Sequence, residues 1–295
     1  MDAPSSVIDP PAALEEFRRP RWRVLRRMAR DPGVVGGTIL LLLIVGAVLA
    51  APLVTGFDPY RSSILLRLKP MLYRGHLLGT DELGRDMLAR LLYGGRITLL
   101  IGFLPVLVAS AIGGALGLIA GYFGGGVNMM IMRVMDVFYA FPSVLLAVAL
   151  SGALGGGVQN AIVALTLVFI APICRVAESA TTEVRHLDFV AAARSSGAGN
   201  IAILRAHVIG HMFGPVLVYA SGLCSLSIVL AAGLSFLGLG VLPPEPDWGL
   251  MLSALRQAVY VAPLNAALPG LAIFLTSLAF NLVSDGLRDA MAVRQ

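Results

Sequence analysis

Lysine is almost absent from this 295-residue chain, since only Lys69 among its 22 basic residues is not an arginine. A phosphate-binding P-loop requires a lysine directly after its second glycine. Lys69 lies instead between Leu68 and Pro70, so the sequence contains no P-loop with which to bind ATP. Nucleotide binding of that kind is therefore excluded for this polypeptide.

Charged residues of either sign are also few. They make up 13% of the chain, compared with about 25% in soluble domains. Hydrophobic residues make up 57%, compared with about 45–50% in soluble domains. This composition excludes a disordered chain, a nucleic-acid-binding domain and an ordinary cytosolic enzyme. The 33 glycines are typical of closely packed membrane helices.

Cysteine and histidine are too scarce to build a reactive or metal-binding centre. Cys174 and Cys224 lie far apart inside apolar runs, which argues against a disulfide framework. His207 and His211 have the spacing of metal ligands on one helix face, but the sequence offers no evident third ligand. We therefore expect no metal site and no catalytic residue in this chain.

Long uncharged runs are the main feature that the sequence does contain. Five stretches lack Asp, Glu, Lys and Arg, and each can hold a span of about 20 apolar residues. The stretch 137–174 is interrupted by the glycine-rich segment 151–160 and is expected to hold two helices. We therefore predict an all-α membrane protein with six transmembrane helices, at about 33–54, 97–121, 135–153, 160–178, 212–236 and 262–283.

Arginines indicate the orientation of these spans. Seven arginines precede the first span, and cytoplasmic segments carry an excess of Lys and Arg. Both termini are therefore expected in the cytoplasm, although the six arginines and Lys69 of 55–96 act against this assignment. The predicted organisation is a cytoplasmic N-terminal segment (1–32), a first transmembrane helix with an extracytoplasmic segment (33–96), a five-helix core (97–287) with a cytoplasmic loop (183–211), and a cytoplasmic tail (288–295).

Small residues recur at every fourth position of the second span. Ala109, Gly113, Gly117 and Gly121 lie on one helix face. Lipid supplies no hydrophobic drive between helices, so close approach of two backbones is the main attraction between them. We predict that this glycine ribbon packs against another helix, either of this chain or of a partner.

Ionisable residues near the spans occur in pairs three residues apart. Arg133 with Asp136 and Arg175 with Glu178 share a helix face, and each pair is predicted to form an interfacial ion pair. The sequence places no acid or base in the middle of a span, whereas ion-coupled transporters carry carboxylates at depth. This pattern argues against secondary transport.

Four stretches of the chain resemble one family, the inner-membrane permease subunits of type I ABC importers. The similarity is greatest to the C-type subunits for dipeptides, oligopeptides or nickel. It is carried by HLLGTDELGRD at 76–86, by GYFGG at 121–125 followed by Ala140-Phe-Pro142, by DFVAAARSSGAGNI at 188–201, and by SFLGLG at 235–240 with Trp248-Gly249 and DGLRDA at 285–290. The third stretch is similar to the family's EAA motif.

The resemblance implies a MetI-like permease fold in the bacterial cytoplasmic (inner) membrane. In this family a second, related permease completes the pathway, two cytoplasmic ATPases bind ATP and Mg, and an extracytoplasmic binding protein delivers the substrate. Lipid surrounds the helices, and no nucleic acid is involved. The chain itself is then expected to bind no cofactor and to be a non-catalytic subunit.

The resemblance also assigns roles to residues. By position, the loop that couples to the ATPases contains Ala191, Ala192, Ala193, Gly197 and Ile201. The candidates on the side of the binding protein are Asp81, Arg85, Asp86 and Trp248. Two positions depart from the family pattern, because Ala191 replaces the usual glutamate and Gly210 replaces the usual proline.

Several functions stay open at this point. The main hypothesis is an importer of di- or oligopeptides, and the alternative within the same architecture is import of nickel or another small solute. A stand-alone channel or secondary transporter would require intramembrane charges or an internal repeat. An intramembrane enzyme would require a polar catalytic group within a span. The sequence shows none of these features.

Overall fold

The computed structural model describes residues 28–291 and contains no β-strand within that range. Two isolated bridges, at Tyr73–His76 and Thr80–Asp86, are the only extended pairings described. The principal helices are α1 (Pro32–Leu49), α2 (Met87–Phe123), α3 (Gly125–Tyr139), α4 (Ser143–Leu154), α5 (Val158–Arg185), α6 (Asp188–Ser195), α7 (Asn200–Phe236), α8 (Trp248–Ala254) and α9 (Pro263–Met291).

Five of these helices, α1, α2, α5, α7 and α9, are long and apolar enough to cross a membrane. The pair α3 and α4 passes the same test only when the two are taken together. The predicted class, an all-α membrane protein, is therefore confirmed. The arginine-rich segment 18–27 and residues 292–295 lie outside the described residues, as does most of the predicted N-terminal segment.

The predicted span at 135–153 is not one continuous helix, because the chain bends by 88° between α3 and α4. Ala140 ends α3, and Pro142 is the N-cap residue of α4. Proline has no N–H to donate and disfavours helical backbone in the residue before it, so Phe141 leaves the helix. Sequence reasoning placed a span across this Ala140-Phe-Pro142 segment and missed the break.

Helix α2 spans 37 residues and is about 55 Å long, which exceeds the hydrocarbon core of about 30 Å. It begins at Met87 rather than near 97, because the Asp86 carboxylate accepts a 2.7 Å hydrogen bond from the amide of Ala89. It ends before Gly124, whose φ of +65° leaves the helical region. The helix therefore continues beyond the predicted span at its N-terminal end.

The glycine ribbon of α2 packs against α5 within this chain. A Cβ atom at Gly113 would lie 2.7 Å from the carbonyl oxygen of Ile170, and one at Gly121 would lie 2.7 Å from that of Glu178. At Gly117 it would lie 2.6 Å from the Cβ of Ala177. The contact residues on both helices rise together, so α2 and α5 run parallel with their backbones in close contact.

Two structures lie at opposite ends of α2. We call residues 55–86, which lead into the start of α2, the cap. We call residues 186–201, which join α5 to α7 and include α6, the tip. The hydroxyl of Tyr122, at the far end of α2, donates a 2.9 Å hydrogen bond to Oδ1 of Asn200 in the tip. One continuous helix therefore connects the two regions across the whole bundle.

Candidate functional site

The tip is a short helix followed by a turn that requires glycine. Helix α6 ends when the amide of Gly197 donates to the carbonyl of Arg194 at 3.1 Å, and that of Ala198 donates to the carbonyl of Ala193 at 3.1 Å. Gly197 has a φ of +85°, a left-handed conformation that is costly for residues with a Cβ atom. The turn at Gly197 reverses the chain into α7.

The tip is anchored to the bundle by its inner face. Val190 of α6 is fully buried and packs in one apolar cluster with Tyr122, Val184, Ile203 and Val208. These neighbours belong to α2, α5 and α7, so residues of three spanning helices share one apolar cluster with the tip. The tip is therefore packed against the ends of the spanning helices.

The residues that the sequence nominated in this loop lie on its outer face. Ala191, Ala192 and Gly197 are exposed, and Ile201 is 68% exposed. Ala193 is half-buried and packs against the apolar cluster beneath the tip. The outer face therefore presents small side chains and one large apolar group to whatever lies beyond the bundle.

Sequence reasoning missed the anchor residues Val190, Tyr122 and Asn200. A signal for Val190 was available, because it is the one β-branched apolar residue among the alanines of DFVAAARS. No signal existed for the Tyr122–Asn200 hydrogen bond, which joins residues 78 positions apart.

The cap contains a buried charge cluster. Asp81 is only 1% exposed, and its Oδ2 lies 2.6 Å from Nε of Arg85 and 3.3 Å from Nε of Arg90. Its Oδ1 accepts hydrogen bonds from the amides of Leu83, at 2.9 Å, and Arg85, at 2.8 Å. A carboxylate with so many donors is fully satisfied without water.

A second buried pair completes the cap. The Nδ1 of His76 lies 2.8 Å from Oδ2 of Asp86, the residue that caps α2 with its other oxygen. The ring of Phe57 stacks on that of His76, with centroids 4.5 Å apart. Burial raises the pKa of the neighbouring Glu82 carboxyl above its usual value, and the Asp81 charge raises it further. The HLLGTDELGRD segment thus folds into a compact cluster of ion pairs and hydrogen bonds.

The start of α8 docks beside the cap. Trp248 is buried, and its indole Nε1 donates to the carbonyl of Leu91 at 2.8 Å. The preceding Asp247 accepts a 2.6 Å hydrogen bond from the hydroxyl of Thr98. Burial raises the pKa of the Asp247 carboxyl, an effect that the hydrogen bond from Thr98 opposes. Sequence reasoning named Trp248 but missed Asp247.

Asp81, Arg85, Asp86 and Trp248, nominated for the side of the binding protein, therefore lie in the interior. In this conformation they support the exposed surface of the cap from beneath but are not part of it. The exposed surface of the cap consists of neighbouring residues such as Tyr60, Ile64, Leu65 and Leu72.

Both ion pairs predicted within single helices are wrong. Oδ1 of Asp136 in α3 lies 2.6 Å from Nη2 of Arg175 in α5, so these two predicted pairs are replaced by one pair between helices. Glu178 instead accepts a 2.6 Å hydrogen bond from Nδ2 of Asn128. Because α3 returns alongside α5, the nearest opposite charge comes from the neighbouring helix rather than from the next turn.

The described residues include no group of three His, Cys, Asp or Glu side chains that could hold a metal ion. Cys174 and Cys224 are both buried and unbonded to each other. Within residues 28–291, the features that stand out are thus a charged cap, a protruding tip and the helix that joins them.

Residues 113–295 match the family described as "Binding-protein-dependent transport system inner membrane component". The glutathione transport system permease protein GsiD of Pectobacterium atrosepticum is 40% identical over 95% of this chain and 94% of its own length. The di/tripeptide transport system permease protein DppC of Pseudomonas aeruginosa is 41% identical over 95% of this chain and 92% of its own length.

A solved structure supports the fold. A chain of the MetNI methionine ABC transporter, in an inward-facing conformation, aligns with a TM-score of 0.56 and 20% identity over 70% of this chain and 98% of its own length. The predicted MetI-like fold is thereby confirmed. The chain therefore belongs to the family of binding-protein-dependent transport system inner membrane components, and it is a multi-pass permease subunit of an ABC importer.

Proposed function

We propose that this chain is the C-type permease of an importer for di- or oligopeptides. It forms the translocation pathway with a second, related permease, receives its cargo from an extracytoplasmic binding protein, and is driven by two ATPase subunits that bind ATP and Mg. The cargo class is supported by relatives whose names specify dipeptides, di- and tripeptides and glutathione. The absence of a P-loop lysine supports the separation of ATP hydrolysis from this chain.

The tip faces the cytoplasm and the cap faces outward in this proposal. The start of α1 lies at the same end as the tip, because a Cβ atom at Gly286 near the end of α9 would meet the side chain of Val34. Arg30, just before α1, therefore lies on the same side as Arg185, Arg194 and Arg205 around the tip. An excess of basic residues on one side is typical of the cytoplasmic face.

Three of the basic residues near the cap are engaged inside the fold. Arg85 and Arg90 pair with the buried Asp81. The Arg96 guanidinium donates at 3.0 Å to the carbonyls of both Val48 and Leu49, at the end of α1.

The tip is the handle through which the ATPases move the bundle. Its outer face, with Ala191, Ala192, Gly197 and Ile201, fits into a partner's groove, and Ala193 lies at the border of the buried cluster. The observation that carries the proposal is the burial of Val190 between α2, α5 and α7 beneath this exposed face. An ATPase bound to the outer face of the tip would thereby be connected, through Val190, to the spanning helices.

The experiment is co-purification of the full complex with Ile201→Asp. Burying a charge at this exposed position in an apolar groove is costly. The amount of ATPase subunits that co-purifies is therefore expected to fall about tenfold or more. The second permease, which contacts other surfaces, should stay bound and serves as the internal control. ATPases retained at wild-type stoichiometry, with normal substrate-stimulated hydrolysis, would show that the tip is not their docking site.

A further inference from the structure

The bend between α3 and α4 leaves a cavity that the coupling mechanism does not use. Its volume is about 250 Å³, and it lies between the bend and the helices α5 and α7. Most of its wall is apolar and aromatic, formed by Phe138, Phe141, Leu146, Phe169 and Leu223. Drug-sized ligands occupy about 300–1,000 Å³, so this cavity suits one side chain rather than a whole peptide.

Three hydroxyl groups interrupt the apolar wall. They belong to Tyr139, Ser143 and Tyr219. Ser143 is exposed at the first position of α4, next to the bend. The cavity therefore has an apolar interior with a few polar groups, the composition that is typical of ligand pockets.

An ion pair lies beside Tyr139, a residue of the cavity wall, and we call this pair the rim. Asp136 and Arg175 are 2.6 Å apart, and each side chain is 49% exposed. The Arg175 guanidinium also lies over the ring of Tyr139, 4.8 Å from its centroid, and that ring lines the cavity. A pair so exposed contributes little to stability, so its contribution to folding does not explain its position.

The pair offers one positive and one negative group to a ligand. A guanidinium has five N–H donors and binds carboxylates in a bidentate geometry, and a carboxylate accepts hydrogen bonds from an ammonium group. An apolar lipid tail would form neither an ion pair nor a hydrogen bond with these two groups. A ligand with both charges and an apolar side chain satisfies the rim and the cavity together.

We propose that this cavity and its rim form a transient cargo site for zwitterionic short peptides. The apolar side chain of the peptide enters the cavity beneath the bend, its carboxylate binds Arg175, and its ammonium group binds Asp136. The site rests on the proposed function, since a peptide reaches it only during import. It gives this permease a preference among peptides in addition to that of the binding protein.

The test is transport by the reconstituted complex with two cargoes, alanyl-phenylalanine and glycylglycine. Ser143→Phe fills the mouth of the cavity from an exposed position and should leave folding intact. Transport of alanyl-phenylalanine should fall about tenfold, the order expected when a phenylalanine side chain loses its burial. Transport of glycylglycine, which has no side chain to bury, should change less than twofold.

A matched control is Ala149→Phe, which adds a ring of the same size to an exposed position of the same helix, α4, outside the cavity. Both cargoes should then be transported as by the wild type. An equal loss for both cargoes with Ser143→Phe, or no loss, would overturn the site, because the cavity would then serve packing, a lipid tail or a partner's side chain.

The rim is tested by replacing both charges, Asp136→Asn with Arg175→Gln, so that neither is left unpaired. Transport of both free dipeptides should fall about tenfold, whereas a dipeptide that is acetylated and amidated at its ends should be unaffected. If the double substitution changes the transport of free and of blocked dipeptides by the same factor, or changes neither, the rim does not bind the charged ends of the peptide. A wild-type complex that hydrolyses ATP but carries no dipeptide overturns the proposed function together with the site.

Discussion

The cap and the tip are held by opposite kinds of interaction. In the cap, Asp81, Arg85, Asp86 and Arg90 are buried and joined by directional ion pairs and hydrogen bonds. In the tip, a single apolar side chain, Val190, is buried beneath a helix of exposed alanines. Charge networks of this kind fix one geometry because ion pairs and hydrogen bonds are directional, whereas apolar burial is not directional. The cap is therefore held mainly by directional bonds, and the tip mainly by apolar packing.

The largest expected effect is in the cap. Asp81→Ala leaves the guanidinium groups of Arg85 and Arg90 buried without their shared partner, which destabilises a fold by about 3–5 kcal/mol. We expect a greatly reduced yield of folded protein and a lower thermal midpoint in detergent. The matched control is Asp58→Asn, since Asp58 is exposed and accepts one hydrogen bond, from the amide of Tyr60. That change should cost about 1 kcal/mol or less. Similar midpoints for the two variants would refute the contrast between the cap and a surface charge.

A smaller effect is expected where α2 connects the two regions. Gly121→Ala places a Cβ atom 2.7 Å from the Glu178 carbonyl oxygen, so overpacking should destabilise the bundle by about 1–3 kcal/mol. Gly114→Ala, on the same helix, meets nothing within 4 Å and should stabilise it by about 0.5–1 kcal/mol through helix propensity. Thermal unfolding of both variants measures the difference. Shifts of the same sign would mean that α2 and α5 are not in backbone contact.

The smallest effect is expected in the tip, and on coupling rather than folding. Gly197→Ala forces a Cβ atom into a left-handed turn at φ +85°, at a cost of about 1–2 kcal/mol that the loop relieves by moving. Substrate-stimulated ATP hydrolysis by the reconstituted complex should fall severalfold, while membrane insertion stays normal. Gly199→Ala is the control, because Gly199 has a φ of −68° and equally open space. Equal stimulation of ATP hydrolysis in the two variants would show that the left-handed turn at Gly197 is not required for coupling.

Local features of the sequence predicted much of this architecture. Uncharged runs indicated the spanning helices, because burying a charge in hydrocarbon is costly whatever the surrounding fold. The four-residue spacing of Gly113, Gly117 and Gly121 indicated a packing face, and α5 meets that face. The conformation at Gly197 agrees with the turn expected after a short alanine helix. These properties depend on neighbours in sequence or on the solvent.

The errors share a different cause. Asp136 pairs with Arg175 rather than with Arg133, because a neighbouring helix brings the opposite charge closer than the next turn does. Asp247 and Asn200 were missed, since each bonds to a residue more than 75 positions away along the chain. A polar residue in a loop carries no local signal that such a distant partner exists.

Sequence alone determined that this chain is a bundle of apolar helices with a glycine-rich packing face and an alanine helix between two spans. Those outcomes follow from hydrophobicity and from spacing along one helix, which the order of residues specifies directly. Only the tertiary structure decided that the charges of HLLGTDELGRD turn inward, that Val190 anchors the tip, and that a cavity opens beneath the bend, with an ion pair beside Tyr139 of its wall. Each of these depends on which helices lie side by side, and that is settled by the packing of the whole bundle.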